Sequence, residues 1–228
     1  MFKTVAAHVT RRRSFKDGSI TNAFHCGGGS DCNRTSVMSA TKYMSGHSDV
    51  FGGFISTPNC HRKTVEDGLI ALGAPLSPDS AYLIQRGLRT MPVRLKQQAA
   101  TAMLVAQTLR STRGVSEVFS PALSSSPDHD RWKAYFSGGD GLLTFGLDGV
   151  SRPTIVRLVK SLQRFHLGVS WGGLESLIWP KQLIDVGPRE RWLMRVSVGL
   201  ESAEDLAFDL REALATALGE VGAVSPQD

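Results

Sequence analysis

The sequence predicts an α/β protein, and three observations carry that expectation. Four short β-prone runs, VSEVFSP, GLLTFGLDG, FHLGVSWGG and LMRVSVGLE, lie in the C-terminal half. Two segments of helical period, PTIVRLVKSLQRF and ESAEDLAFDLREALATAL, separate or follow them. A long amphipathic stretch, VRLKQQAATAMLVAQTLRST, precedes them. Strands mixed with helices of this length bury one face of a sheet, so residues 115–219 read as a compact α/β domain with a single sheet covered by helices on one face.

Taken in order, residues 1–34 have no sustained hydrophobic period and contain the run Gly27 to Gly29, which reads as a loop-like leader. SATKYMSGHSDVFGG, Ser39 to Gly53, has neither helical nor strand period. VFGGFIST reads as a buried strand ending at Pro58, with no sheet partner evident and therefore with unpaired edges. Residues 61–74 are helix-like and end near Gly73, a residue suited to a C-cap. Ser77-Pro78-Asp79 supplies an N-cap, a proline at the first helical position and an acid in the first turn of a helix through SAYLIQRGL. A separate helix, the longest, is expected after Pro92, with Val93, Leu95, Ala99, Ala102, Met103, Ala106 and Leu109 as its apolar stripe. Ile155, Leu158, Val159 and Leu162 share one face of the next helix. The last helix carries its acids early, against the positive end of the helix dipole, and the tail beyond Gly219 is expected to fray.

Composition excludes several function classes. The 228 residues are 41% hydrophobic, a globular composition. No apolar run approaches the ~18 residues of a membrane span, and no charged start leads into an apolar segment, so a cytoplasmic protein with no membrane partner is expected. Three cysteines, Cys26, Cys32 and Cys60, form no disulfide framework, and with His25 and His61 they lack metal-ligand spacing, so no metal is expected. The net charge of +5 is concentrated at the start: residues 1–34 hold six Lys/Arg against Asp17 and Asp31. The remaining 20 basic and 19 acidic residues nearly cancel, which argues against a nucleic-acid partner.

Three stretches are hard to explain by folding alone. Lys42 follows Ser39 and Thr41 and precedes Gly46, an arrangement in which hydroxyl and backbone donors crowd as they do round a bound phosphate; it reads as a cofactor lysine. Ser170 and Trp171 end an apolar run beside paired glycines in GVSWGGLESLIWP. Arg195 sits in a strand otherwise fit for burial, where a guanidinium either clamps a carboxylate, joins an internal salt bridge or points outward. His47 and Asp49 read as makers of loop hydrogen bonds rather than an acid/base pair.

These stretches together resemble the Cys/Met-metabolism family of pyridoxal-phosphate enzymes. SATKYMSGHSD resembles its cofactor-lysine signature, LGAPLSPDSAYLIQRGLRTMPVRLKQQ its interdomain stretch, and GLLTF, SWGGLESL and MRVSVGLE its small-domain landmarks, in order over about Met38 to Leu218. The resemblance implies a fragment of the aspartate-aminotransferase-like (fold type I) architecture. Residues 1–37 would be an unrelated or disordered leader, 38–92 a remnant of the large domain with linker helices, 93–219 the small α/β domain and 220–228 a tail. It further implies that Lys42 carries pyridoxal 5'-phosphate and acts as the base at the α-carbon, and that Ser39 and Thr41 bond the cofactor phosphate. Arg195 would clamp the substrate α-carboxylate with help from Ser170, and Trp171 would shape the pocket.

Tryptophan at position 171, supported by HDRWKAYFSGGDGLLTF, is similar to the cystathionine β-lyase branch of the family. That branch implies a transsulfuration step in methionine biosynthesis, cystathionine to homocysteine, pyruvate and ammonia, in a homo-oligomer, a tetramer in the family. The alternatives are a relative working at the γ-carbon, or a non-catalytic fragment that binds an intact homologue. In the family a comparable length of chain precedes the cofactor lysine and carries the acid at the pyridine nitrogen and the stacking aromatic. Residues 1–37 match none of it, so a truncated or frameshifted product is the expectation.

Overall fold

The computed structural model describes residues 35–183 and 191–219. The expectations for the leader up to residue 34 and for the tail from 220 lie outside them. Among the described residues no helix is long and apolar enough to cross a membrane. The chain divides into two units. Unit 1 runs to Lys96 and adds Asp130–Gly139 and Gly172–Leu174; unit 2 holds Gln97–His129, Asp140–Trp171 and the described residues from Glu175 onward.

Unit 1 starts with β1 (Ser36–Ser39), which pairs antiparallel with β2 (Gly53–Ser56) in the register Val37 to Ile55 and Met38 to Phe54. Here two expectations are corrected. The segment before Lys42 is a strand rather than leader or aperiodic loop, because Ser36-Val37-Met38-Ser39 alternates in exposure and finds a ladder partner. That partner also closes one edge of the strand expected to stand alone. Between the strands the chain makes a wide turn, Ala40–Met44. Thr41 ties this turn to the start of β2: its hydroxyl donates to the Gly52 carbonyl at 3.2 Å and accepts from the Gly52 N–H at 2.9 Å. Ala40, Met44, Val50, Phe54 and Ile84 form the small core of this unit.

Helix α1 (Asn59–Ala71) follows and buries none of its residues. The chain leaves it through Gly73 at φ +60°, with the Ala74 N–H on the Leu69 carbonyl, as the sequence suggests. Ser77 caps α2 (Pro78–Ser111) by accepting from the Ser80 N–H at 3.2 Å. The two helices expected here are one, since Pro92 lies inside it. A proline costs a helix the N–H that would reach back four residues, here to Leu88, and the turn beside that position carries two side-chain donors. Thr90 Oγ1 and Arg94 Nη2 both donate to the Gly87 carbonyl, at 3.2 and 2.9 Å. The apolar stripe also shifts. Val93 is 73% exposed, while Val105, outside the expected stripe, is fully buried with Leu95, Ala102, Ala106 and Leu109.

Unit 2 is built on a five-stranded sheet of order β3-β4-β7-β6-β5. Its strands are β3 (Glu117–Phe119), β4 (Leu142–Asp148), β5 (His166–Leu167), β6 (Leu177–Leu183) and β7 (Arg191–Ser197). All neighbours are antiparallel except β5 and β6. Sequence pattern expects four strands. FHLGVSWGG shrinks to the two residues of β5, and LIWPKQL is the additional strand β6. Pro180 argues against a strand in the text, yet it is tolerated because β5 reaches only Leu177 and Ile178. Past that point β6 has a single described neighbour, β7. A short helix, α3 (His129–Tyr135), also escapes the sequence pattern.

Alternation sorts the two faces of this sheet. Leu143, Phe145 and Leu147 on β4 stand opposite Val196, Met194 and Trp192 on β7, and Ile178 on β6 stands opposite Val196. This apolar face packs with buried residues of three helices: Ala102, Val105, Ala106 and Leu109 of α2, Ile155 and Leu158 of α4 (Arg152–Ser161), and Leu206, Leu210 and Leu214 of α5 (Ala203–Leu218). The other face carries the cross-strand row Thr144, Arg195, Trp179. The expected one-sided helical cover is therefore what unit 2 shows.

Polar pins hold the connections. Asp209 of α5, 6% exposed, accepts the backbone N–H groups of Gln163, Arg164 and Phe165 at 2.9, 2.8 and 3.4 Å, fixing the chain that leaves α4. Ser176, fully buried, donates to Glu201 and accepts from the Gly199 N–H at 2.8 Å, joining the start of β6 to the end of β7.

Two outcomes follow. Asp209→Ala strands three backbone donors, one of them buried, and lowers stability by about 2 kcal/mol, read as a drop in the urea midpoint followed by tryptophan fluorescence. Thr41→Val removes both side-chain bonds to Gly52, leaving only the backbone Thr41 N–H on the Gly52 carbonyl, and speeds exchange of the Gly52 amide by about tenfold, whereas Thr41→Ser keeps it near the wild-type rate.

Candidate active site

The lysine singled out in the sequence sits where the backbone breaks. Ser45 N–H donates to the Ala40 carbonyl at 3.0 Å, a reach of five residues, and Gly46 N–H donates to the Lys42 carbonyl at 2.8 Å. Between those bonds Lys42 takes φ −89° and ψ −125°, outside the helical region, so two short helical pieces meet at this residue. Wide turns of this kind recur where a side chain must be presented at a set angle. Ser45 holds the turn from inside, its Oγ donating to the Thr41 carbonyl at 2.9 Å and the Lys42 carbonyl at 3.3 Å. Lys42 is half-buried and Ser39 exposed. The buried backbone of Gly172 lies against the Lys42–Tyr43 peptide, where a Cβ would approach the Tyr43 nitrogen to 2.9 Å.

His47 makes the loop bond expected of it. Its Nδ1–H donates to the Ser45 carbonyl at 2.5 Å. Cys60 is an exposed free thiol; Cys26, Cys32 and His25 lie outside the described residues.

In unit 2 the structure brings Arg195, Ser170 and Trp171 together. Arg195 projects from β7 on the face free of helices, and its Nη2 donates to the Val169 carbonyl at 2.5 Å and the Ser170 carbonyl at 3.2 Å. The guanidinium lies over the Trp171 ring, 5.6 Å from its centroid, close enough for a cation–π attraction. Of the alternatives open in the sequence, the internal salt bridge is absent among the described residues. Both hydrogens of Nη2 are committed to loop carbonyls. Nε is buried and has no hydrogen-bond partner among the described residues.

Sequence reasoning overlooked Arg94. It is 5% exposed on α2, in line with Gln98 and Thr101, which are also buried. The spacing 94, 98, 101 is the readable signal: three polar residues at helical period bordering an apolar stripe belong to the covered face. The site residues are thus two groups, Ser39, Thr41 and Lys42 with Arg94 in unit 1, and Ser170, Trp171 and Arg195 in unit 2.

Comparison with known proteins connects these groups to a chemistry. The sequence profile of the Cys/Met metabolism PLP-dependent enzymes matches residues 15–215, beginning inside the segment expected to be unrelated leader. A cystathionine β-lyase of Lactococcus lactis subsp. cremoris is 37% identical over 190 residues, covering 78% of this chain and 49% of that protein. A cystathionine γ-lyase of Macaca fascicularis is 41% identical over 193 residues, covering 79% and 47%. A crystal structure of cystathionine γ-synthase from Xanthomonas oryzae pv. oryzae, in complex with aminoacrylate and cysteine, superimposes with a TM-score of 0.74 at 31% identity, over 82% of this chain and 51% of that one. The chain spans about half the length of the curated relatives it matches. A profile match over most of the sequence and a shared α/β architecture leave one conclusion: the chain belongs to the Cys/Met-metabolism family of pyridoxal-phosphate-dependent enzymes of fold type I.

Proposed function

We propose that the chain is a pyridoxal-phosphate-dependent carbon–sulfur lyase acting on a sulfur amino acid of the cystathionine type, with cleavage at the β-carbon. The observation that carries this reading is the primary amine of Lys42 at the break of a turn whose own carbonyls are held by Ser45 and Gly46. The residues fit the cofactor. An amine on a fixed turn suits covalent attachment, and the exposed Ser39 hydroxyl suits a phosphate oxygen. Thr41 donates to a phosphate by turning its proton from the Gly52 carbonyl while still accepting the Gly52 N–H.

The bound cofactor supplies a sink for the negative charge that develops at the substrate α-carbon. This chain's residues do the remainder. Nζ of Lys42 takes the α-proton and returns a proton to the departing β-thiolate, which leaves as homocysteine, and one water hydrolyses the three-carbon remainder to pyruvate and ammonia. Arg195 offers the α-carboxylate the N–H groups that the Val169 and Ser170 carbonyls do not take, the unpartnered Nε among them. Trp171 supports the β-carbon reading as the ring that lies under this guanidinium. Action at the γ-carbon is favoured instead by the likeness to the γ-lyase and γ-synthase. The exposed Val37, Phe51, Ile70, Leu72, Tyr82 and Val93 support self-association, as expected for a homo-oligomer.

The deciding experiment mixes purified protein with pyridoxal phosphate, records the visible absorbance, reduces with borohydride and maps the labelled peptide. A visible band with label confined to Lys42, and lost in Lys42→Ala, is the expected result. Label spread over surface lysines in the wild type sinks the proposal and leaves a chain that only binds. With cystathionine as substrate, pyruvate rather than 2-oxobutyrate is the expected keto acid. Arg195→Lys, which keeps the charge but loses the planar fork, raises KM by about 50-fold with a smaller change in kcat.

A further inference from the structure

Arg94 is a buried cation that no step above uses. From α2 its Nη2 donates to the carbonyls of Tyr43 at 2.8 Å and Gly87 at 2.9 Å, and its Nε donates to Thr90 Oγ1 at 3.1 Å. Nη1 is buried and has no hydrogen-bond partner among the described residues. No carboxylate among the described residues faces it, and burial lowers its pKa from the ordinary arginine value without neutralising it. An uncompensated buried guanidinium is costly, so the contacts it makes must be worth that cost.

Two of its contacts lie within α2 and brace the helix near Pro92. The third crosses to the lysine turn, and there the geometry is specific. In a regular helix through this segment the Tyr43 carbonyl would accept the N–H of His47, four residues on. Here Arg94 takes that carbonyl, and the Ser45 carbonyl accepts the His47 ring. Gly46, at φ +68°, leaves room for the guanidinium, since a Cβ at that position would overlap Nη1. Gly87 lets α2 touch the turn directly, since a Cβ there would overlap the carbonyl oxygens of Met44 and Ser45. Three successive carbonyls, Tyr43 to Ser45, thus meet α2, the first at the Arg94 guanidinium and the other two at Gly87.

We propose that Arg94 is the positioning residue for Lys42: by taking the carbonyl of the next residue and filling the space beside Gly46, it holds the turn broken at the lysine and so sets the direction of the amine. The functional part of this inference rests on the cofactor role given to Lys42; the structural part does not.

The test measures two readouts on the full chain. Hydrogen exchange follows the amides of Ser45 and Gly46 in the wild type, Arg94→Met and Arg94→Lys, with β4 and β7 as internal reference. Borohydride trapping then quantifies cofactor on Lys42. In Arg94→Met the two turn amides exchange about tenfold faster while β4 and β7 keep their protection, and the trapped fraction falls at least about fivefold. Arg94→Lys, able to reach one carbonyl, recovers both readouts to within about threefold of wild type. If Arg94→Met loses protection in β4 and β7 as well, Gly46→Ala displaces the guanidinium while keeping the charge and must show the same pair of changes. Unchanged turn exchange, or unchanged trapping alongside faster exchange, overturns the proposal. Failure of the wild type to trap cofactor on Lys42 removes the reading of the preceding section, and the exchange data still decide whether Arg94 holds the turn.

Discussion

The carbonyls of the Lys42 turn are the constraint around which unit 1 is organised. A chain that breaks its helix at one residue forfeits the regular partners of the neighbouring carbonyls, and each one buried without a donor costs about 1–3 kcal/mol. Every donor found there answers that cost. Ser45 covers the carbonyls of Thr41 and Lys42 with a single hydroxyl, Gly46 returns to Lys42, and Arg94 reaches over from α2 to Tyr43. Thr41 must in turn be tied to Gly52, which requires β2 to lie beside β1. The helix that delivers Arg94 continues through Pro92, and the same arginine also donates to the carbonyl of Gly87 in the preceding turn.

Unit 2 follows a different logic, in which apolar burial does most of the work and polar groups close the connections. The face of the sheet under the helices is filled by side chains that alternation alone selects, with Phe145, Leu147 and Met194 fully buried. The opposite face needs no such filling and is where a guanidinium can stand among strand residues without an ion pair. Arg195 gives both hydrogens of Nη2 to the Val169 and Ser170 carbonyls, while its buried Nε has no hydrogen-bond partner among the described residues.

Much of this was legible in the text. Period-two and period-3.6 patterns place β4, β7, α4 and α5, Ser77 marks the start of α2, and the string around Lys42 marks the lysine. The failures share a cause: local rules were overruled by partners distant in sequence. Pro92 reads as a helix break, but α2 continues through it, with Thr90 and Arg94 donating to the Gly87 carbonyl in the preceding turn. Pro180 reads as a strand breaker, but β6 has passed the end of β5 by then. Val93 reads as core by spacing from Leu95, yet it is Arg94 that turns inward. The spacing of Arg94, Gln98 and Thr101 beside the apolar stripe is the one trace that this face leaves in the sequence, and the backbone carbonyls that Arg94 meets leave none.

The outer margin of β6 has a further consequence. From Trp179 on, the described part of this strand pairs only with β7, so it is a free edge of the kind that recruits a strand from another molecule. Pro180 offers no amide to such a visitor, and Lys181 places a charge where a second sheet would have to close. This proline is therefore also a guard against fibril-like stacking, which limits how copies of this chain can meet.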